Sequence, residues 1–472
     1  MFGFRAMAGA GSVTKQLCGY LRQEIENGAL APGLRLPPTR RAAMDLGIAR
    51  NIVIEVYEQL TAEGYLTSRA GSGTFVAEGI EARTALKITP TTFPVQSARA
   101  EAVSKNTKLI DFDGGLPDLS QFPRRLWSKY VRDITDSAGE DVFSYGDIQG
   151  LPTLREAIAG YLYRVKGMTC SMDQIVITSG TSEGMLLLAS TLSDRFRTVY
   201  VEEPTIGFAG DIFRKLHYDI HPVEVDHQGM QIHRIQHDAP AGMIVLTPSH
   251  QYPTGSILSI QRRQLAVAIA DKTGHYIIED DYDSEFRHKG GPVPPLQLLS
   301  PNRVIYAGTY SKTLSPALRI GFLVVPPDLI EPVVRTKTEL NLTTSGIIQS
   351  ALARFIVDGH FDRHIHKMRA VYKRKRVYIA EQCRRLFGDR VELLGDEAGM
   401  HVQLHFRQDA YGPMDWHKLE AFGVRLSSFE DYAALKGRSP GKVVLGYGNL
   451  TEREMSEGLR RIQQFTESWM LT

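Results

Sequence analysis

From Leu109 onward the chain alternates short apolar runs, bounded by turn residues, with longer stretches of helical spacing, and this alternation most restricts what it can fold into. The runs are QIVIT (174–178), TVYVEE (198–203), GMIVLTP (242–248), YIIEDD (276–281) and RVIYAG (303–308). Each is short and rich in β-branched or aromatic residues, which suit a pleated surface. Strands apolar on both faces need cover on both, and helices between successive parallel strands supply it. The pattern therefore predicts a mainly parallel α/β sheet. After about residue 335 it turns to helices with shorter strands, including VVLGY (443–447), which predicts a smaller C-terminal α+β subdomain.

Residues 13–78 read differently. Val13, Leu17, Tyr20, Leu21 and Ile25 recur at helical spacing, and Asn27-Gly28 supplies a stop. After the Pro32-Gly33 turn, Thr39 is read as the cap of a short helix through Leu46. Gly47 breaks it, and a third helix carries Val53, Val56, Tyr57 and Leu60 on one face. YLTSR and TFV then flank AGSG as two short strands around a glycine turn, a wing. A helix-turn-helix lays its second helix in the major groove while flanking groups grip phosphates. Arg40, Arg41, Arg50 and Asn51 fall at the starts of the second and third helices, where side chains and helix N-termini can both meet phosphate. Ser72, in the wing turn, completes the candidate DNA-binding set. Charge adds little, because residues 1–80 carry 8 Lys and Arg against 7 Asp and Glu, so the expectation rests on pattern and placement. The rival reading is a small helical dimerisation domain with Arg40 and Arg50 as solvated charges. Residues 79–107 lack a sustained period, contain TPTTFP, and are read as a linker to an effector and dimerisation domain at 108–472.

A length of 472 residues exceeds one ordinary core. No run approaches the roughly 18 apolar residues of a membrane span, and the start MFGFRAMAGAGS has no long apolar stretch after Arg5, so a cytoplasmic protein without membrane contact is expected. Cys18, Cys170 and Cys383 lie too far apart for a disulfide framework or zinc spacing and are expected as free thiols.

The second domain carries the ingredients of a pyridoxal-phosphate site, which needs a reactive amine, an acid near the pyridine nitrogen, phosphate donors and a group beside the ring oxygen. Lys312, in TYSKTLSPALRIG (309–321), follows the strand RVIYAG and precedes Arg319, which could reach a phosphate. YIIEDDYDSEF (276–286) ends a buried-looking strand in acids, of which Asp280 is the choice for the ring nitrogen, with Tyr282 near the ring hydroxyl. A hard-metal site is the rival there, but the run lacks the glycine turn of a calcium loop. SGTSEG (179–184) joins a strand to an apolar helix, so the backbone N–H groups of Thr181 and Ser182 sit at a helix N-terminus. Tyr252 and Thr309 complete the candidate set. His360 and His364 stand four apart, as a helical metal pair would, but no third ligand follows in a recognised spacing, and no metal is expected.

Two resemblances connect these features. LPPTR, LGIARNIV, YEQLTAEGY and GSGTFV resemble the GntR-type winged helix. FDGGLPDLSQFP (112–123), YGDIQGLPTLREAIAGYL (145–162), TPSHQYPTG (247–255) and EDDYDSEF, together with the Lys312 run, resemble fold-type-I aminotransferases. Their fusion is similar to the MocR-type subfamily of GntR regulators. The resemblance implies an imine between Lys312 and pyridoxal phosphate, and a homodimer in which Tyr145 reaches the cofactor phosphate of the partner subunit. It also implies a double-stranded operator and a small-molecule effector.

The chain departs from these patterns at several places. Pro38 and Ala49 replace hydroxyl residues of the winged helix, and Ala49 forgoes an N-cap worth about 1 kcal/mol. Tyr252 stands where aminotransferases place an asparagine, and Thr205-Ile206 where many relatives place an aromatic ring, with Phe208 close by. Val444 occupies the position of the arginine that clamps a substrate carboxylate, a paired grip that valine cannot make. Arg425 is the residue that could stand in for it. The expected function is therefore a ligand-responsive regulator sensing pyridoxal phosphate, as in MocR-type regulators of vitamin B6 synthesis, or an amine that reacts at Lys312. The alternatives are an active aminotransferase with an accessory DNA-binding domain, and a cofactor that only stabilises the dimer.

Overall fold

The computed structural model describes residues 3, 4, 6, 12–69, 71–79, 109–112, 115–236, 240–341, 343–407, 411 and 414–470. Apart from Gly79, the expected linker lies outside the described residues, as does the side chain of Phe208. The chain divides into two compact units, Met1–Ala102 and Val103–Thr472.

The N-terminal unit contains α1 (Val13–Glu26), α2 (Thr39–Leu46), α3 (Arg50–Ala62), β1 (Leu66–Arg69) and β2 (Gly73–Val76). Leu17, Leu21, Val53, Val56 and Leu60 are buried together, and Leu66 and Val76 join them where the antiparallel β1–β2 wing returns to the helices. Gly71 turns the wing with φ +74°, a conformation that favours glycine. One expectation needs correcting. Thr39 does not cap α2 but is its first residue, preceded by Pro38, which offers no side-chain acceptor. The Thr39 hydroxyl instead accepts a hydrogen bond from Arg50 Nε at 3.3 Å, linking the starts of α2 and α3.

In the second unit, β3 (Ile110–Asp111) precedes α4 (Arg124–Ser137), α5 (Pro152–Lys166) and β4 (Ile175–Thr178), after which α6 (Thr181–Leu192) follows directly. β5 (Thr198–Glu203), β6 (Asp219–Asp226), β7 (Gly229–Met230), β8 (Gly242–Leu246), β9 (Tyr276–Asp281), β10 (Val304–Thr309) and β11 (Gly321–Val324) complete an eight-stranded sheet of order β4-β11-β10-β9-β8-β5-β6-β7. The β6–β5–β8–β9–β10 block is parallel, whereas β11 runs antiparallel to both β10 and β4. The sheet is thus mixed and mostly parallel, with β9 buried along its whole length. β6 and β11 were not legible as strands. β6 lies near the sheet edge and alternates polar residues (DIHPVEVD), and GFLV follows a glycine that can pass as a loop.

β12 (Val391–Leu394), β13 (His401–Phe406), β15 (Ser427–Ser428) and β16 (Lys442–Gly446) form a separate antiparallel sheet, and β14 (Val424–Arg425) pairs with β3. The 28-residue helix His360–Phe387 buries Phe361, His364, Tyr372 and Phe387. His364 therefore faces the core while His366 is exposed. Among the described residues no helix is long and apolar enough to cross a membrane.

Candidate functional site

The parallel strands end where the chain turns back into helices, the crevice in which open α/β sheets bind ligands. A cavity of about 220 Å³ lies there. Asp280 reaches it from the penultimate position of β9, and Tyr282 from just beyond the strand. Thr309 ends β10 and Lys312 follows three residues later, so the run TYSK delivers its lysine from a central strand. Thr181 and Ser182 open α6, whose first-turn N–H groups have no intrahelical acceptor. Gly180 precedes α6 with φ +107°, a conformation that favours glycine, and lies beside the guanidinium of Arg319. Tyr252 closes another side. The sequence-expected cofactor residues thus border one cavity, except Tyr145, which is 74% exposed and does not line it.

Charge in this region is partitioned rather than pooled. Glu279 turns away and accepts the backbone N–H groups of Leu296 and Gln297 at 2.7 and 2.9 Å. Asp281 pairs with buried Lys166 at 2.7 Å and accepts from the Tyr306 hydroxyl at 2.7 Å. That leaves Asp280, 8% exposed, whose Oδ1 has no hydrogen-bond partner among the described residues. Burial pushes its carboxyl up to about 7, helped by neighbouring Asp281 and opposed by Lys312. The Lys312 ammonium donates to the Gly115 carbonyl.

The C-terminal subdomain supplies a further wall. Val444 is fully buried on β16 and clusters with Tyr252 and Phe429, against which Ile206, Tyr282 and Tyr432 pack. Arg425 does not stand in for the absent arginine. It lies on β14, half exposed, bound to Glu420 at 2.7 Å and Asp111 at 3.3 Å, and does not line the cavity. The short pairing of β14 with β3 sets it opposite Asp111, where those carboxylates hold it. Sequence reasoning missed Tyr432, Thr247 and Ser311 as lining residues. Ser311 neighbours Lys312, but no local signal marks Tyr432.

It also missed a buried trio beside Tyr282. His250 Nδ1 lies 2.9 Å from Asp283 Oδ2 and 3.1 Å from the Tyr282 hydroxyl. The His250 and His401 rings are 4.8 Å apart. No metal was expected from the sequence, yet His250, Asp283 and His401 bring potential ligand atoms within 4.8 Å of one another.

In the N-terminal unit Arg40 and Arg41 occupy the first turn of α2, and Arg50 and Asn51 open α3. They and Ser72 are exposed. Ala49 precedes α3 with no side-chain cap, so the first-turn N–H groups beside Arg50 receive no side-chain acceptor from the cap position.

Comparison with known proteins agrees with both halves. The description "Bacterial regulatory proteins, gntR family" matches residues 13–76, and "Aminotransferase class I and II" matches residues 108–462. The probable rhizopine catabolism regulatory protein MocR of Rhizobium meliloti is 34% identical, over 95% of this chain and 92% of its own. The HTH-type pyridoxine biosynthesis transcriptional regulator PdxR of Corynebacterium glutamicum is 30% identical over 93% of each chain. The multiple substrate aminotransferase of Thermococcus profundus shares the fold, with a TM-score of 0.71 at 24% identity over 78% of this chain and 94% of that one.

Proposed function

Because the chain belongs to the MocR-type regulators, in which a gntR-family DNA-binding domain is joined to an aminotransferase class I and II domain, we propose that it holds pyridoxal phosphate in the Lys312 cavity and that the state of this cavity alters its binding to a DNA operator. One observation carries the cofactor half of the reading. Asp280 presents a buried oxygen with no donor among the described residues, in the same cavity as Lys312, and a protonated pyridine nitrogen is a donor of the required kind. The remaining residues fit the group too. The first-turn N–H groups of Thr181 and Ser182 and the guanidinium of Arg319 suit a phosphate, and Tyr282 suits the ring oxygen. When bound, pyridoxal phosphate supplies an electrophilic carbonyl and an electron-withdrawing ring. Lys312 offers the amine for that carbonyl, Asp280 holds a proton at the ring nitrogen, and Tyr252 and Tyr432 limit water around it.

The effector follows from what the cavity lacks. An α-amino acid would bring its carboxylate among Tyr252, Tyr282 and Tyr432, behind which buried Val444 offers no guanidinium, a burial cost of several kcal/mol. This favours pyridoxal phosphate itself as the signal, entering an empty cavity, with an amine that lacks a carboxylate second. The printed name of PdxR, concerned with pyridoxine biosynthesis, is consistent with this order. In the same reading the regulator is a homodimer and exposed Tyr145 serves the neighbouring subunit's cavity. Transaminase activity is the second reading, favoured by Lys312, Asp280 and Tyr282 meeting in one cavity. Regulation by ligand requires different affinities for two states. The test compares operator binding by cofactor-free and cofactor-loaded protein, then titrates the loaded form with amino acids while its absorbance is followed. Different operator binding and an unmoved spectrum are expected. Equal operator binding, with a spectral change at micromolar concentrations of an amino acid, overturns the proposed effector.

A further inference from the structure

Tyr282 lines the cavity, but its hydroxyl is not isolated there. It lies 3.1 Å from His250 Nδ1, which is also 2.9 and 3.1 Å from the two carboxylate oxygens of Asp283. His250 and Asp283 are each about 1% exposed at the side chain. Gly399, with φ +75°, makes room for them, since a Cβ there would fall 2.2 Å from His250 Cε1 and 2.4 Å from Asp283 Oδ2. The other ring nitrogen, Nε2, is buried with no partner among the described residues.

These contacts decide where the protons sit. Nδ1 faces a carboxylate, an acceptor, so Nδ1 carries the hydrogen. A lone pair at unpartnered Nε2 is also less costly than an unpartnered N–H would be. The Nδ1–H is therefore shared between Asp283 and the Tyr282 oxygen, and Tyr282 accepts on this side. Burial holds the Tyr282 phenol well above its ordinary range, so it keeps its own proton. With Nδ1 unable to accept it, that proton is left for the cavity.

We infer that His250, oriented by Asp283, is a positioning residue that makes Tyr282 a hydrogen-bond donor to the ligand oxygen beside it. The inference rests on pyridoxal phosphate occupying the cavity, where the oxygen is that of the ring. A two-His, one-carboxylate metal site is the other use of these side chains, but Nδ1 and Asp283 stand at hydrogen-bond distance and already satisfy each other. Among the described residues, the other titratable groups facing Tyr282, His250 and Asp283 are Asp280 and Asp281 at the end of β9, Lys312, Glu202 from β5, Tyr252, His288, His401 from β13, and Tyr447.

The test is the pH titration of the absorbance of full-length protein loaded with pyridoxal phosphate, comparing the unaltered chain with Asp283→Asn, Tyr282→Phe and the double variant. An asparagine amide no longer fixes the hydrogen on Nδ1, so the ring can carry it on Nε2 instead, and a bare Nδ1 then competes with the ligand oxygen for the Tyr282 proton. A donor to the ring oxygen favours the deprotonated chromophore, so its loss should raise the midpoint by about one pH unit, tenfold. Tyr282→Phe should do the same, and the double variant no more than either alone. If Asp283→Asn does not fold, His250→Phe carries the same expectation, because Asp283 then competes for the Tyr282 proton. Unchanged midpoints in loaded variants, or shifts of equal size in the Tyr282→Phe background, overturn the inference and leave cofactor binding standing. A failure of the unaltered protein to bind the cofactor overturns both. Midpoints that respond to removal of metal by a chelator assign the trio to a metal and also overturn it.

Discussion

The hydroxyl of Tyr252 lies 2.8 Å from that of Tyr432, joining the turn after β8 to a strap of the C-terminal subdomain. Backbone bonds reinforce the joint. Thr205 N donates to the Tyr432 carbonyl at 3.2 Å, and Ala434 N and Leu435 N donate to the Glu203 carboxylate at 3.0 Å each. Part of the cavity wall is therefore supplied by the C-terminal subdomain, from the short helix Phe429–Tyr432.

This joint should control how long a ligand stays. Tyr432→Ala removes the hydroxyl pair and the ring, and the lost hydrogen bond alone, about 1 kcal/mol, corresponds to a several-fold effect. Cofactor release, followed by absorbance after dilution into a scavenger, should accelerate roughly tenfold or more, and Tyr432→Phe should have the smaller effect. Unchanged release in Tyr432→Ala would show that the strap does not retain the ligand.

Lys312 is the lysine of the cavity, beside Asp280, Tyr282 and the start of α6. Borohydride treatment of the loaded protein should fix the cofactor to the chain through denaturation, and in Lys312→Ala the added mass should vanish. A peptide map that places the label on another lysine refutes the assignment.

Asp280 makes opposite predictions for stability and for binding. Its carboxyl is raised to about 7 in the folded chain, whereas an exposed one titrates near 4. A raised carboxyl contributes stability that is complete below the unfolded value and is lost as pH rises through 7. Without cofactor, Asp280→Asn escapes that loss, so its thermal midpoint should exceed that of the unaltered protein by a few degrees at pH 8, with a smaller gap at pH 5. The same variant should hold pyridoxal phosphate more weakly at pH 8. Equal gaps at both pH values would contradict the buried-acid argument.

Arg40 stands exposed in the first turn of α2, and Arg50 and Asn51 open α3. Arg40→Ala should weaken binding to every duplex and lower the slope of log affinity against log salt by about 1, as for one lost phosphate contact. Asn51→Ala should instead reduce the preference for the chain's own promoter region over random duplex. If the unaltered protein shows no such preference at moderate salt, the regulator reading fails.

Sequence alone determined the features that arise from nearest neighbours along the chain. Apolar runs of strand length alternating with helices dictate a layered α/β sheet, because each run must be covered on both faces. Gly47 and the AGSG turn punctuate the winged helix for the same local reason. Lys312, Asp280 and Thr181 were legible because each lies at or just beyond the end of a recognisable strand, and strand ends converge in such a sheet. Tertiary structure alone decided what depends on elements far apart in the chain. His250, Asp283 and His401 meet because β8, β9 and β13 bring them together around Gly399, and none of them carries a local periodic signal. Tyr432 becomes a wall only when its strap binds Glu203, and Arg425 is withdrawn from the cavity by Glu420 and Asp111. The fate of a charged or hydroxyl group depends on which partner folding places within hydrogen-bond reach, and neither spacing nor composition encodes that.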